Sequence, residues 1–188
     1  MSSNPIPHEQ QHYYVHADEG NRFFKLKQVL STLCANLTLI YVDSFEQSQS
    51  LCHQLNDWKC PLMVMDPTQD EQLQKACIHA FKDEICMVLI ATDKTAPLIM
   101  DAAMSNIDAI IHMGHLKNLD QYLARMSRTK VDTGDRSLGS KAVVVYFTNC
   151  SNTAQVLEDM KTELGIRIES FDDGESDDGR LQAGATRP

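Results

Sequence analysis

Apolar residues in this chain fall into short unbroken runs alternating with stretches of helical spacing. The runs are "HYYVH", "LTLIYV", "PLMVM", "CMVLIAT", "DAIIHM" and "KAVVVYF", rich in β-branched and aromatic residues and four to seven apolar residues long, and each predicts a strand. Between them, apolar positions recur three and four apart: Phe23, Leu26, Val29, Leu30 and Leu33; Leu51 and Leu55; Leu73, Ala76, Cys77 and Phe81; Leu119, Tyr122, Leu123 and Met126. Those stretches predict amphipathic helices. Ser44 stands between the run "LTLIYVD" and the helix "FEQSQSLCHQL", where a helix N-cap belongs. Strands without polar alternation are covered on both faces, and strand–helix alternation implies right-handed crossovers. The pattern predicts a doubly wound parallel α/β sheet of about six strands with helices on both faces. Ligands of such sheets sit beyond the carboxyl ends of the strands, here after Val42, Met65, Thr92, Met113 and Phe147.

Composition fits this picture and narrows it. With 43% apolar and 23% charged residues in 188, the chain supports one ordinary domain, which the pattern places at residues 12–171. Residues 1–11 are polar with two prolines and read as a flexible segment; residues 172–188, "DDGESDDGRLQAGATRP", read as an acidic disordered tail. No apolar run approaches the roughly 20 residues of a membrane span, and the N-terminus lacks a secretory pattern. The expectation is a cytoplasmic protein without a membrane partner. Cysteines 34, 52, 60, 77, 86 and 150 form no CxxC pair and are expected to be reduced and mostly buried. His112 and His115 of "HMGH" lack further ligands, so no metal is expected.

Charge and motifs bear on function. A formal charge of −9 argues against nonspecific nucleic-acid binding by the whole chain, although Lys117, Arg125, Arg128, Lys130, Arg136 and Lys141 make one basic stretch. "GDRSLGSK", residues 134–141, looks like a phosphate loop with its last two residues exchanged. It precedes a strand instead of feeding a helix, so it is read as a hairpin-like approach to "AVVVYF". Trp58 and Pro61 to Met63 are candidates for an apolar interface.

Several stretches resemble the second RecA-like lobe, the helicase C-terminal domain, of DEAD-box RNA helicases over about residues 11–171. "QHYYVHADEGNRFFKLKQVL" is similar to that lobe's entry strand and first helix, "LTLIYVDSFEQSQSL" to motif IV, "FKDEICMVLIATDKTA" to the approach to motif V, and "YLARMSRTK" to motif VI. The resemblance places Arg125 and Arg128 in the positions of arginines that reach the ATP γ-phosphate, where transition-state charge needs fixed cations. It makes Ser44, Thr92, Lys94 and Lys130 weak RNA-contact candidates.

The remaining positions depart from the family pattern. Motif VI has Ala124, Ser127, Lys130 and Val131 where the family has His, Gly, Gly and Arg; the motif V positions A-R-G-[IL]-D read Ala96, Pro97, Leu98, Ile99 and Met100. "DPTQDEQLQ" replaces a His-Gly…Gln…Arg segment and brings carboxylates to an anion-binding loop. For Arg125 and Arg128 the residues also allow plain surface pairing with Asp93, Asp120 or Asp132.

The resemblance implies a catalytically degenerate helicase C-terminal-like domain. Such a domain serves as a protein-interaction or self-association scaffold in an RNA-processing protein, with at most weak RNA binding, no catalytic residue and no cofactor. Degenerate lobes of this kind occur in helicase-related Tudor proteins of the piRNA pathway, the Yb type in particular. The alternative is the C-terminal lobe of a divergent ATP-dependent RNA helicase, in which ATP and Mg would be held by another lobe.

Overall fold

Residues 10–57, 60–101, 107–127, 142–148 and 151–171 are described by the computed structural model. The first half alternates β1 (Gln11–His16), α1 (Arg22–Leu33), β2 (Thr38–Tyr41), α2 (Phe45–Gln54), β3 (Leu62–Val64) and α3 (Glu71–Lys82). The second half continues with β4 (Val88–Ala91), α4 (Ala96–Asp101), β5 (Ala109–His112), α5 (Leu119–Ser127), β6 (Val143–Thr148), α6 (Ser151–Leu164) and β7 (Ile168–Ser170).

The strands form one parallel seven-stranded sheet in the order β3-β4-β2-β5-β6-β1-β7. All six apolar runs become strands, and β7 adds a seventh that "about six" did not include. The central strands β2, β4 and β5 are buried at every residue, as expected of a sheet covered on both sides. Two apolar clusters divide the core. Leu26, Val29 and Leu30 of α1 and Leu51 of α2 pack with Ile40, Ile90, Ile111 and Val145 on one face. Ile78, Phe81, Ile99, Tyr122, Met126, Val156 and Met160, from α3 to α6, pack with Leu39, Leu89, Ile110 and Val144 on the other.

Local chemistry sets the helix ends. Ser44 caps α2 as its position foretold: its hydroxyl accepts from the Gln47 N–H at 3.2 Å. Asp70 does the same for α3 through the Leu73 N–H at 2.9 Å. In α3, Gln74, Ile78 and Phe81 face inward at helical spacing. Helix α6 ends at Gly165, whose φ of +65° suits a residue without a side chain. Helix α4 was not foreseen from the sequence. Pro97 sits in its first turn, where a missing N–H costs nothing.

The thiols depart from expectation. Among the described cysteines only Cys86 is buried; Cys34 is exposed, and Cys52, Cys60 and Cys77 are half-buried. Cys34 closes α1 in the left-handed region at φ +45°, with its thiol on the Ser31 carbonyl, so it sits on a helix end instead of in the core. Among the described residues no helix is long and apolar enough to cross a membrane.

Candidate functional site

The carboxyl rim of the sheet collects the chemistry. The chain leaves β1, β2, β3 and β4 through Asp18, Asp43, Asp66 and Asp93, each two residues past its strand. Asp18 and Asp66 serve their own turns. Asp18 accepts the Asn21 N–H at 2.9 Å, and Asp66 accepts both the N–H and the hydroxyl of Thr68.

Asp43 reaches across to the loop after β5. It accepts the His115 N–H at 2.8 Å and lies 2.7 Å from His115 Nδ1. The contact depends on Gly114: a Cβ there would lie 2.5 Å from Asp43 Oδ1 and 2.9 Å from the Asp43 nitrogen. Ser44 follows at the α2 cap, and Glu46 comes next. The Glu46 carboxyl is held below the ordinary range mainly by its own backbone N–H, then by the Ser44 side chain, with the charge of Lys94 a smaller contribution.

After β4, Thr92 and Asp93 build a turn. Thr95 Oγ1 accepts from the Thr92 N–H and donates to the Thr92 carbonyl, which also accepts the Ala96 N–H at the start of α4. Lys94 is exposed at the tip. Asp93 takes donors from α5: Gln121 Nε2 at 2.6 Å, Arg125 Nε at 2.8 Å and Arg125 NH2 at 3.0 Å.

Arg125 is fully enclosed, with 0% of its side chain exposed. Its NH1 lies 3.3 Å from His112 Nδ1, and its guanidinium carbon sits 5.1 Å over the Tyr41 ring. The pairing of Arg125 with Asp93 that the residues allowed is present, but the arginine makes it from a buried position and not on the surface. A two-point guanidinium–carboxylate contact is the strong form of such a pair. Arg128 and Lys130 lie outside the described residues, as do Trp58 and the "GDRSLGSK" segment. The structure thus brings Thr92, Lys94 and Arg125 together around Asp93, with Ser44 across the rim.

Sequence reasoning missed what lies beneath. Tyr41, His112 and Tyr146 stack across β2, β5 and β6, with centroids 5.7 and 5.1 Å apart, and His12 continues the row from β1 at 6.0 Å. His12 Nδ1 meets the Tyr146 hydroxyl at 2.8 Å. Burial lowers the His12 pKa to about 4 and the His112 pKa well below its usual value; Arg125 and His12 add to the effect on His112. Neutral His112 therefore accepts from Arg125 at Nδ1. The strand register Tyr41↔His112↔Tyr146 produces the row, and no spacing in the sequence announces it. Among the described residues no cluster of His, Cys, Asp and Glu could hold a metal.

No family model matches the chain. Among curated proteins it is similar to the ATP-dependent RNA helicase SUB2 of Candida glabrata, 26% identical over 164 residues, 87% of this chain and 35% of the relative. The ATP-dependent RNA helicase WM6 of Drosophila melanogaster is 26% identical over 163 residues, 86% of this chain and 36% of that one. The chain therefore spans about a third of the length of the curated relatives it matches.

Solved structures share the fold. The C-terminal domain of the DEAD-box protein Dbp5 superposes with a TM-score of 0.70 at 17% identity, covering 86% of this chain and 88% of that one. The S. cerevisiae Dbp5 C-terminal domain bound to Gle1 and IP6 gives 0.70 at 16%, over 88% and 91%. S. cerevisiae Dbp5 bound to RNA and ADP BeF3 gives 0.72 at 16%, over 90% of this chain and 43% of that one. The fold is that of a DEAD-box C-terminal, RecA-like domain.

Proposed function

We propose that this domain is a helicase C-terminal-type lobe that works as a protein-interaction or self-association module of an RNA-processing protein, with at most weak RNA binding and no ATP turnover of its own. The observation behind the reading is Arg125. The arginine matching a family nucleotide arginine is enclosed and spends its donors on Asp93 and His112. Exposed Asp18, Asp43 and Asp93 on the same rim of the sheet oppose polyanions. The Dbp5 C-terminal domain bound to Gle1 supports a protein partner by analogy of fold. We place the module in the cytoplasm, in a piRNA-pathway Tudor protein of the Yb type, because its motif V and VI positions are so widely replaced. A Tudor domain encoded beyond this chain is the check on that setting.

The test is direct. Fluorescence anisotropy with a single-stranded RNA oligomer at roughly 50 and 200 mM salt, and ATP binding with Mg, should show weak or no capture, while light scattering over a concentration series shows a dimer or larger assembly. Tight Mg-dependent ATP capture, or a strict monomer that binds no protein, overturns the reading.

A second reading is favoured by the relatives themselves, which are ATP-dependent RNA helicases aligned over 87% and 86% of this chain. In it the chain is one lobe of a divergent helicase, with Arg125 and Arg128 turned to ATP and Mg held elsewhere. Arg128→Ala in the full-length protein separates the two. Lost ATPase activity supports the helicase; activity that is unchanged, or absent from the start, supports the module.

A further inference from the structure

A groove of about 380 Å³ opens on the rim between the start of α1 and the length of α2. It lies where neighbouring strands part company: β2 feeds α2 on one face of the sheet, and β5 feeds α5 on the other. Crevices at such switch points are where open α/β sheets receive ligands. The residues that follow those strands, Val42 and Met113, form its floor with Leu51, all three buried, and Phe23 closes one end. Ser50 and Gln54 of α2 offer polar atoms along one wall, and Glu19 stands exposed at the mouth.

Size and charge define the occupant. The volume lies at the low end of the roughly 300–1,000 Å³ of ligand pockets, enough for one or two large side chains and far too small for a folded domain. Glu19 lines it, and Asp18, Asp43 and Glu46 are exposed beside its lining residues. Against these four acids stand the cations Arg22, half-buried in the lining, Lys27, whose ammonium lies 4.6 Å over the Phe23 ring, and Lys94, beside Glu46, while Asp43 is met by His115. A polyanion is therefore disfavoured, and a cationic segment is drawn in. We infer that this groove docks a short linear segment of a protein partner, whose apolar anchor side chain enters over Val42 and Met113 while flanking Lys or Arg residues meet the acidic mouth. The inference rests on the interaction reading above and assigns that reading a surface.

Selection from a phage library of random dodecapeptides tests it, with the Ser50→Trp variant as counter-selection. Ser50 is exposed on α2, so the indole fills the groove without touching the core, and matched far-UV CD and melting confirm the fold. The selected peptides should share an aromatic or large aliphatic residue flanked by Lys or Arg. Their affinity should fall about tenfold on Ser50→Trp, and should also weaken on Glu19→Lys and with added salt. An uncharged or acidic consensus, equal binding to Ser50→Trp, or no enrichment over display background overturns the groove. So does a single-stranded RNA oligomer that displaces a selected peptide. These outcomes are separable from those of the broader reading. ATP turnover by the chain would end that reading while leaving peptide binding in place, and a failed selection beside intact self-association would end only the groove.

Discussion

Arg125 and Asp93, 32 residues apart in sequence, meet as a two-point ion pair that ties α5 to the turn after β4. The partners are unequal: the arginine side chain is 0% exposed and the aspartate 42%. Asp93→Asn strands a cation in the interior, at a cost of roughly 3 kcal/mol. Arg125→Met leaves a half-exposed carboxylate that water can serve, and it should cost less. Urea unfolding of both variants checks the order; a milder Asp93→Asn would show that the pair does not carry the burial of the arginine.

Gly114 lets the loop after β5 lie against Asp43. A methyl carbon at this position would stand 2.5 Å from Asp43 Oδ1, which leaves no room for alanine, and 2.9 Å from the Asp43 backbone nitrogen, so turning the carboxylate alone brings no relief. Gly114→Ala should destabilise by about 1–3 kcal/mol and free His115, seen as a shift of its imidazole resonances in NMR. An unchanged His115 spectrum in a stable variant would contradict the packing.

Much of the fold was legible because parallel strands covered on both faces leave unbroken apolar runs. β7 escaped because "IES" buries only Ile168, and α4 because six residues with Pro97 are too short to show a helical period. At the site, Ser44 could be read from position alone, since a cap is a local interaction. The fate of Arg125 could not be settled, because its enclosure depends on Tyr41 from β2, His112 from β5 and Asp93 from the turn after β4 coming together. The groove was half legible: Val42 and Met113 mark strand ends, yet nothing in the sequence says that β2 and β5 are neighbours.

The cysteines should react in an order set by burial. Cys34 is exposed at the end of α1, whereas Cys86 is buried, gives its S–H to the Val88 carbonyl at 3.0 Å and has its pKa pushed up to about 11, mainly by desolvation. Thiolate is the reactive form. Iodoacetamide at neutral pH, followed by peptide mass mapping, should label Cys34 early and Cys86 only on unfolding. Early labelling of Cys86 would show that the β4 entry opens in the native state.

Acid should weaken the fold through its buried histidines before most carboxylates titrate. Burial holds His12 near 4 against 6.5 in the unfolded chain, and burial lowers His112 as well. Above 6.5 both states are neutral and no penalty applies. As pH falls below 6.5 the unfolded chain takes up protons that the folded one refuses, so stability declines by about 1.4 kcal/mol per pH unit for each such histidine. For His12 the decline runs to about pH 4, where the folded imidazole can also be protonated. His12→Gln removes one titrating group, although it also alters the contact with the Tyr146 hydroxyl. The informative quantity is therefore the slope of unfolding free energy against pH between 7 and 5, measured in urea, rather than its absolute value. The variant should show a shallower slope than the parent, and equal slopes would mean that His12 is not held neutral by the sheet.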